Sequence, residues 1–264
     1  MKLDLHTHSC FSHDGRMDPR ELIAVARRAG LSGVAVCDHN TLRGALAAQE
    51  ASSEDFLIVP GAEYSTEYGH VLAYFISQGA EDSALPRLSD GRFLLRNLAS
   101  FIKSQGGLLV AAHPLHGRDA LPPELTREIH GLEVFNARQM ARRPRTTAPT
   151  LRIAVGMGGI ITAGSDAHSP AEVGGAYVEL ISCDALEEVK RALQNGKYSC
   201  HGRPARRRYE AIGRMGRSGV AELPRDLARM AVFTAQDVFA ALTGARAWRH
   251  YPLINEGGPE VTYV

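Results

Sequence analysis

Lys2-Leu3-Asp4-Leu5-His6-Thr7-His8 alternates apolar with polar residues throughout. A period of two places Asp4, His6 and His8 on one face of a strand and Leu3 and Leu5 on the other. The spacing returns in Gly164-Ser165-Asp166-Ala167-His168, where a carboxylate and an imidazole again flank one small residue. Between these two stretches the chain reads as strands alternating with helices. Asp18-Pro19 predicts a helix start, Leu22, Ile23, Val25, Ala26 and Ala29 its apolar stripe, and Gly30 its stop. Residues 33–37 form a short strand that is apolar on both faces, as buried parallel strands are. Helices are expected over 41–50, 92–105, 147–155 and 185–195. Strands are expected over 56–59, running on to Glu63, and over 70–76, 108–112, 132–135 and 160–163. Such alternation predicts a parallel sheet.

His6, His8, His39, Glu63, His113, Asn136, Asp166 and His168 all fall at or just past the C-terminal ends of these strands. In α/β barrels that rim is where an active site is built, so the pattern predicts an α/β barrel. Imidazole is the commonest neutral metal ligand. His6, His8, His39, His70, His113 and His168, with Asp14, Glu63 and Asp166, supply more donors than one ion uses, because a catalytic zinc takes about three protein ligands plus water. Two or three divalent ions are therefore expected, with Glu63 available to bridge them. Nitrogen and oxygen donors without thiolate suit Zn, Mn or Fe.

In order and context these residues resemble the PHP (polymerase and histidinol phosphatase) family. The resemblance runs through Asp4-Leu5-His6-Thr7-His8, Cys37-Asp38-His39-Asn40, Gly61-Ala62-Glu63, His70, Ala112-His113-Pro114 and Gly164-Ser165-Asp166-Ala167-His168, across about the first 200 residues. It implies a distorted (β/α)7 barrel with a trinuclear centre and phosphoesterase chemistry. One ion would sit on His6, His8, Glu63 and Asp166, a second on Glu63, His70 and His113, and a third on Asp14, His39 and His168. In the turn after His8, His13 and Asp14 are adjacent; Asp14 is preferred as the ligand and His13 is the alternative. The chemistry implied is attack of a metal-bound hydroxide on a phosphate ester, with His6, His8, Glu63 and Asp166 at the catalytic centre. Arg138, and less strongly Arg118, could clamp the phosphate. Asp4, Asp38 and Asn136 are expected to orient imidazoles.

The expected substrate is a phosphorylated small metabolite, a nucleotide or an oligonucleotide. Histidinol phosphate is the alternative within the phosphatases. An amidohydrolase-type enzyme and a non-catalytic metal-binding module are the alternatives outside them. The amidohydrolase reading is disfavoured because such enzymes commonly bridge their metals with a carboxylated Lys, and no Lys stands at a strand C-terminal end here.

Lys and Arg number 30 against 29 Asp and Glu, a net charge of +1, which argues against a supercharged nucleic-acid clamp. Cys10, Cys37, Cys183 and Cys200 form no C-x-x-C pair, so neither a disulfide framework nor a thiolate zinc site is suggested, and a reducing cytoplasm is expected. Residues 153–165 are nearly uncharged but fall short of the ~20 apolar residues a membrane helix needs. No signal-peptide pattern is visible and no membrane association is expected. Residues 201–264 read as a helical appendage to the 1–200 barrel, packed on it or at a subunit contact, with helices over 224–231 and 234–242. It carries an Arg-rich stretch at Arg203, Arg206, Arg207, Arg208, Arg214 and Arg217, expected to be a solvated face or subunit contact. Glu67 and Glu172 are expected to be solvated loop acids, and His116, His130, His201 and His250 to be surface or locally bonded residues.

Overall fold

Strands β1 (Lys2–Thr7), β2 (Gly33–Val36), β3 (Leu57–Thr66), β4 (Gly69–Tyr74), β5 (Leu108–Ala111), β6 (Gly131–Asn136) and β7 (Ile160–Gly164) neighbour one another in chain order. At the far end the sheet returns to its start. The His8 amide donates to the Ala167 carbonyl at 2.9 Å and the Asp166 amide to the His6 carbonyl at 2.8 Å. A nearly closed, barrel-like sheet with helices around it results, in keeping with the expected α/β barrel. This computed structural model describes residues 1–116, 120–143, 145–181, 183, 185–196, 198–207, 209, 223–243, 249–255 and 259–260.

The local chemistry of the elements is the one the sequence predicts. The Asp18 side chain accepts from the Arg20 amide, Pro19 occupies the first turn of α1 (Pro19–Arg28), and Gly30 takes the left-handed backbone after it at φ 77°. Leu22, Ile23, Val25 and Ala26 of α1 are buried. Helices α2 (Arg43–Ala51), α3 (Leu95–Ser104), α6 (Thr147–Met157) and α7 (Leu186–Asn195) stand where periodicity places them. Two short helices, α4 (Pro123–Glu128) and α5 (Ala137–Arg142), are too brief to show a period.

The purely parallel sheet is not what forms. Only Glu67 and Tyr68 separate β3 from β4, a link that can make a hairpin but not a crossover, so β4 runs antiparallel to both β3 and β5. The distortion brings His70 back beside Glu63. Beyond β7 the chain adds β8 (Ala176–Leu180) and β9 (Tyr198–Gly202), followed by β10 (Arg249–Asn255) and β11 (Pro259–Glu260), as an antiparallel extension on β1. β9 thus runs through residue 200 within this extension. The two helices expected over 224–231 and 234–242 are one, α8 (Leu223–Leu242), because Val232-Phe233 contains no breaker.

The Arg-rich stretch is not simply a solvated face. Arg207 donates to Gln236 Oε1 at 2.9 Å and its guanidinium lies 4.3 Å from the Phe233 ring centroid, pinning the chain after β9 to α8. Arg208, Arg214 and Arg217 lie outside the described residues. Among the described residues no helix is long and apolar enough to cross a membrane.

Cys37 and Cys200 are buried in the sheet, which pushes the Cys200 thiol up to about 12, whereas Cys10 is exposed. A thiol reagent should therefore label Cys10 in the native protein and reach Cys37 and Cys200 only after denaturation. Peptide mapping after labelling checks this; native labelling of Cys200 as fast as Cys10 would show that β9 is not part of the sheet.

Candidate metal centre

At the C-terminal end of the barrel the side chains of β1, β3 and the turns after β2, β5 and β7 converge. His6 and His8 are fully buried, and their Nε2 atoms stand 3.1 Å apart. Glu63 Oε2 lies 3.5 Å from His6 Nε2 and 3.4 Å from His8 Nε2, and Asp166 Oδ1 lies 3.7 and 3.3 Å from the same two atoms. Four donors around a zinc-sized ion at about 2.0–2.2 Å would stand about 3.3–3.6 Å apart in a tetrahedron, so this set has the spacing of a coordination sphere.

Glu63 extends the cluster. Its Oε1 lies 2.9 Å from His70 Nδ1 and 3.0 Å from His113 Nε2, and its Oε2 lies 3.1 Å from His39 Nδ1. Glu63 Oε2 is buried without a well-formed hydrogen bond, although imidazole nitrogens surround it. A carboxylate oxygen left so needs a cation. Further along, Asp14 Oδ2 stands 3.0 Å from His168 Nε2 and Asp14 Oδ1 3.6 Å from His39 Nε2. Asp14 therefore faces the cluster, while the neighbouring His13 lays its ring 5.3 Å from that of His39. His39 presents one nitrogen to Glu63 and the other to Asp14. Among the described residues three donor groups could hold an ion: His6, His8 and Glu63; His39, Glu63 and His70; and His8, His39 and His168.

Hydrogen bonds behind these residues fix which nitrogen faces inward. His168 Nδ1 donates to the Asp166 carbonyl oxygen at 2.9 Å, which leaves Nε2 facing Asp14 at 3.0 Å. His6 Nδ1 lies 2.8 Å from Glu133 Oε1, which turns Nε2 to the centre in the same way. Ser12 Oγ donates to Asp38 Oδ1 at 2.8 Å and lies 3.1 Å from His8 Nδ1, so Asp38 acts on His8 through Ser12 rather than directly. Asp4 touches no imidazole; it accepts from the amides of His6, Ser165 and Gly174 and so ties β1 to the chain after β7. Asn136 likewise orients carboxylates instead of rings, donating to Glu133 Oε2 at 2.9 Å and to Asp166 Oδ2 at 3.3 Å.

Glu133, which supports His6, is not among the residues the sequence reading singles out. It is 1% exposed and also accepts from the His113 amide at 2.8 Å. The available signal was a lone acid inside the apolar strand Gly131-Leu132-Glu133-Val134-Phe135. Glu172 is missed too. It is buried, pairs with Arg138 at 3.0 Å, and accepts from the His168 amide and Ser169 Oγ, so it is not a solvated acid. Glu67 accepts from the Leu95 amide at the start of α3. Arg118 lies outside the described residues.

The charges are strongly coupled. Burial opposes ionisation of Glu63 and Asp166, yet the imidazoles around them, His6 foremost, hold both well below the usual carboxylate range. Burial also opposes a proton on His6, but Glu133, Asp166 and Glu63 outweigh it and lift its pKa well above normal. His8, equally buried and beside His168, is held well below. His39 is raised to about 10, burial being outweighed by its bonds to Asp14 and Glu63.

Residues 4–98 match the PHP domain and residues 151–198 match the PHP-associated family. The uncharacterized protein MJ1587 of Methanocaldococcus jannaschii is 31% identical over 150 residues, 52% of this chain and 82% of that protein. A 5'-3' exoribonuclease of Haemophilus influenzae is 40% identical over 68 residues, 25% of this chain and 24% of that one. Among solved structures, a candidate metal-dependent phosphoesterase from Bifidobacterium adolescentis superposes with a TM-score of 0.50 at 23% identity, covering 64% of this chain and 88% of that one.

Two measurements check the site. Because His39 gives up a proton to bind a metal, apparent affinity for Zn²⁺ or Mn²⁺ should rise with pH between 6 and 9 and ion uptake should release protons, as read by calorimetry in buffers of different ionisation enthalpy. Replacing the support of His6, Glu133→Gln should weaken metal affinity by about 10–100-fold with the fold retained; unchanged affinity would remove Glu133 from the centre.

Proposed function

The chain belongs to the PHP family, and from that premise we propose that it is a hydrolase of phosphoric esters that works with two or three divalent ions. The observation that carries this is Glu63, whose two oxygens face different sets of imidazoles. His6, His8 and His39 approach its Oε2, and His70 and His113 its Oε1, as suits a carboxylate that would be shared between neighbouring ions. Asp14, His39 and His168 complete the third position. These nine residues are the proposed metal ligands, and His6, His8, Glu63 and Asp166 form the reacting centre.

Divalent ions held by these residues would supply a water of lowered pKa and positive charge to neutralise phosphoryl oxygens. The chain's own residues prepare that step. Glu133, Ser12 with Asp38, and the Asp166 carbonyl hold His6, His8 and His168 with their Nε2 atoms directed inward. Asn136 keeps Asp166 aimed at the centre. Arg138 supplies a permanent positive charge beside Asp166 and Asp14; burial works against that charge, and Glu172 with those two acids sustains it. Its planar fork suits a phosphate, and its bond to Glu172 fixes its reach.

The substrate we propose is the phosphate ester of a small metabolite, a nucleotide or an oligonucleotide. The likeness to an exoribonuclease over 68 residues supports the nucleotide side of that range. An amidohydrolase bridged by a carboxylated Lys is disfavoured. Lys2 lies over Tyr177, Lys103 binds Glu128 and Lys190 lies near Gly106, so these three face away from the cluster.

Elemental analysis of the purified protein, together with turnover of a panel of phosphomonoesters and phosphodiesters, tests the reading. Bound divalent metal and ester hydrolysis are expected. His8→Ala and Glu63→Ala should lower metal content and cut turnover by at least about 100-fold. Arg138→Ala should raise KM with the metals retained. Full activity in Glu63→Ala would remove the bridging role, and amide hydrolysis without ester hydrolysis would reverse the assignment.

A further inference from the structure

Beside the metal ligands, between the β3–β4 turn and α4, lies a cavity of about 180 Å³. Tyr68, Pro114 and Leu125 line its apolar side, and His70, His113 and His116 its polar side. Two of those imidazoles are also the ones that meet Glu63 Oε1. The cavity therefore opens directly from one side of the reacting centre.

Resting on the phosphoesterase reading, we infer that this cavity is the subsite for the alcohol portion of the ester. It takes one ring-sized group, neutral or anionic, and turns cationic groups away. Size argues the first half: about 150 Å³ of apolar space holds a benzene ring, whereas larger ligands use about 300 Å³ or more. Charge argues the second. Among the described residues, none that lines the cavity is a carboxylate. Of the acids that adjoin the lining in sequence, Glu67 is committed to the Leu95 amide and Glu124, next to Leu125, is exposed on α4; Glu63 is turned toward the imidazoles behind the wall. Arg142 at the end of α5 and Arg143 just past it bring permanent positive charge toward His116. Amino alcohols, histidinol among them, would bring a cation into this field.

Binding of arylphosphonates, which cannot be hydrolysed, tests the subsite independently of turnover. Metal-loaded protein should bind phenylphosphonate and 4-carboxyphenylphosphonate about ten-fold more tightly than 4-(aminomethyl)phenylphosphonate, measured by calorimetry. His116→Glu, at an exposed position, should narrow or invert that preference. Leu125→Trp, which fills the cavity, should weaken phenylphosphonate about ten-fold and leave inorganic phosphate unaffected. Should Leu125→Trp fail to fold, Tyr68→Ala should show the same split. Equal binding of the aminomethyl and phenyl compounds, or parallel loss of phenylphosphonate and phosphate in Leu125→Trp or Tyr68→Ala, overturns the inference. The expected binding pattern without hydrolysis of any ester would sink the phosphoesterase reading and leave the subsite standing.

Discussion

Glu63 is the constraint around which the barrel end is organised. A carboxylate 1% exposed to solvent costs on the order of several kcal/mol to ionise unless compensated. Here His6, His8, His39, His70 and His113 all approach its two oxygens. Asp166 and Glu133 bury two more carboxylates within the same few ångströms, so the region is stable only when it contains a comparable amount of positive charge. Protons on His6 and His39 provide part of it, and divalent ions would provide it more fully. Binding of metal and integrity of this end of the fold are thus one electrostatic problem.

The backbone carries the cost of that arrangement. Among the described residues, four other than glycine have positive φ, and three of them, Asn40, His113 and Asp166, adjoin or belong to the cluster. Each such conformation costs about 1–3 kcal/mol and persists only where its surroundings over-determine it. Those surroundings are visible. Asn40 Oδ1 accepts from the Ser65 amide, the His113 amide donates to Glu133, and the Asp166 amide donates to the His6 carbonyl. Gly164 is required for a related reason: a Cβ there would meet His6, because β7 closes against β1 without room for a side chain.

Much of this was legible in the primary structure because it follows from short-range periodicity. Alternation in residues 2–8 puts His6 and His8 on one face whatever lies opposite, and the strand-end positions of His39, Glu63, His113, Asp166 and His168 follow from where apolar runs stop. Glu133 was not legible, since its role depends on β6 lying beside β7 and on a register shift between Glu133 and Phe135. Glu172 was hidden for the same reason: its partner Arg138 is 34 residues away and meets it only through the closed barrel. β8 and β9 escaped notice because an antiparallel extension does not follow the strand–helix rhythm.

The sequence alone determined the alternating strands and helices of the barrel and the donor types available at its rim, because these depend on side-chain period and on the chemistry of individual residues. Tertiary structure decided that Glu63 serves both groups of imidazoles, that Asp38 reaches His8 through Ser12, and that β4 turns antiparallel and carries His70 back to the centre. Those outcomes depend on distances between residues far apart in the chain, and such distances exist only once β7 has returned to β1.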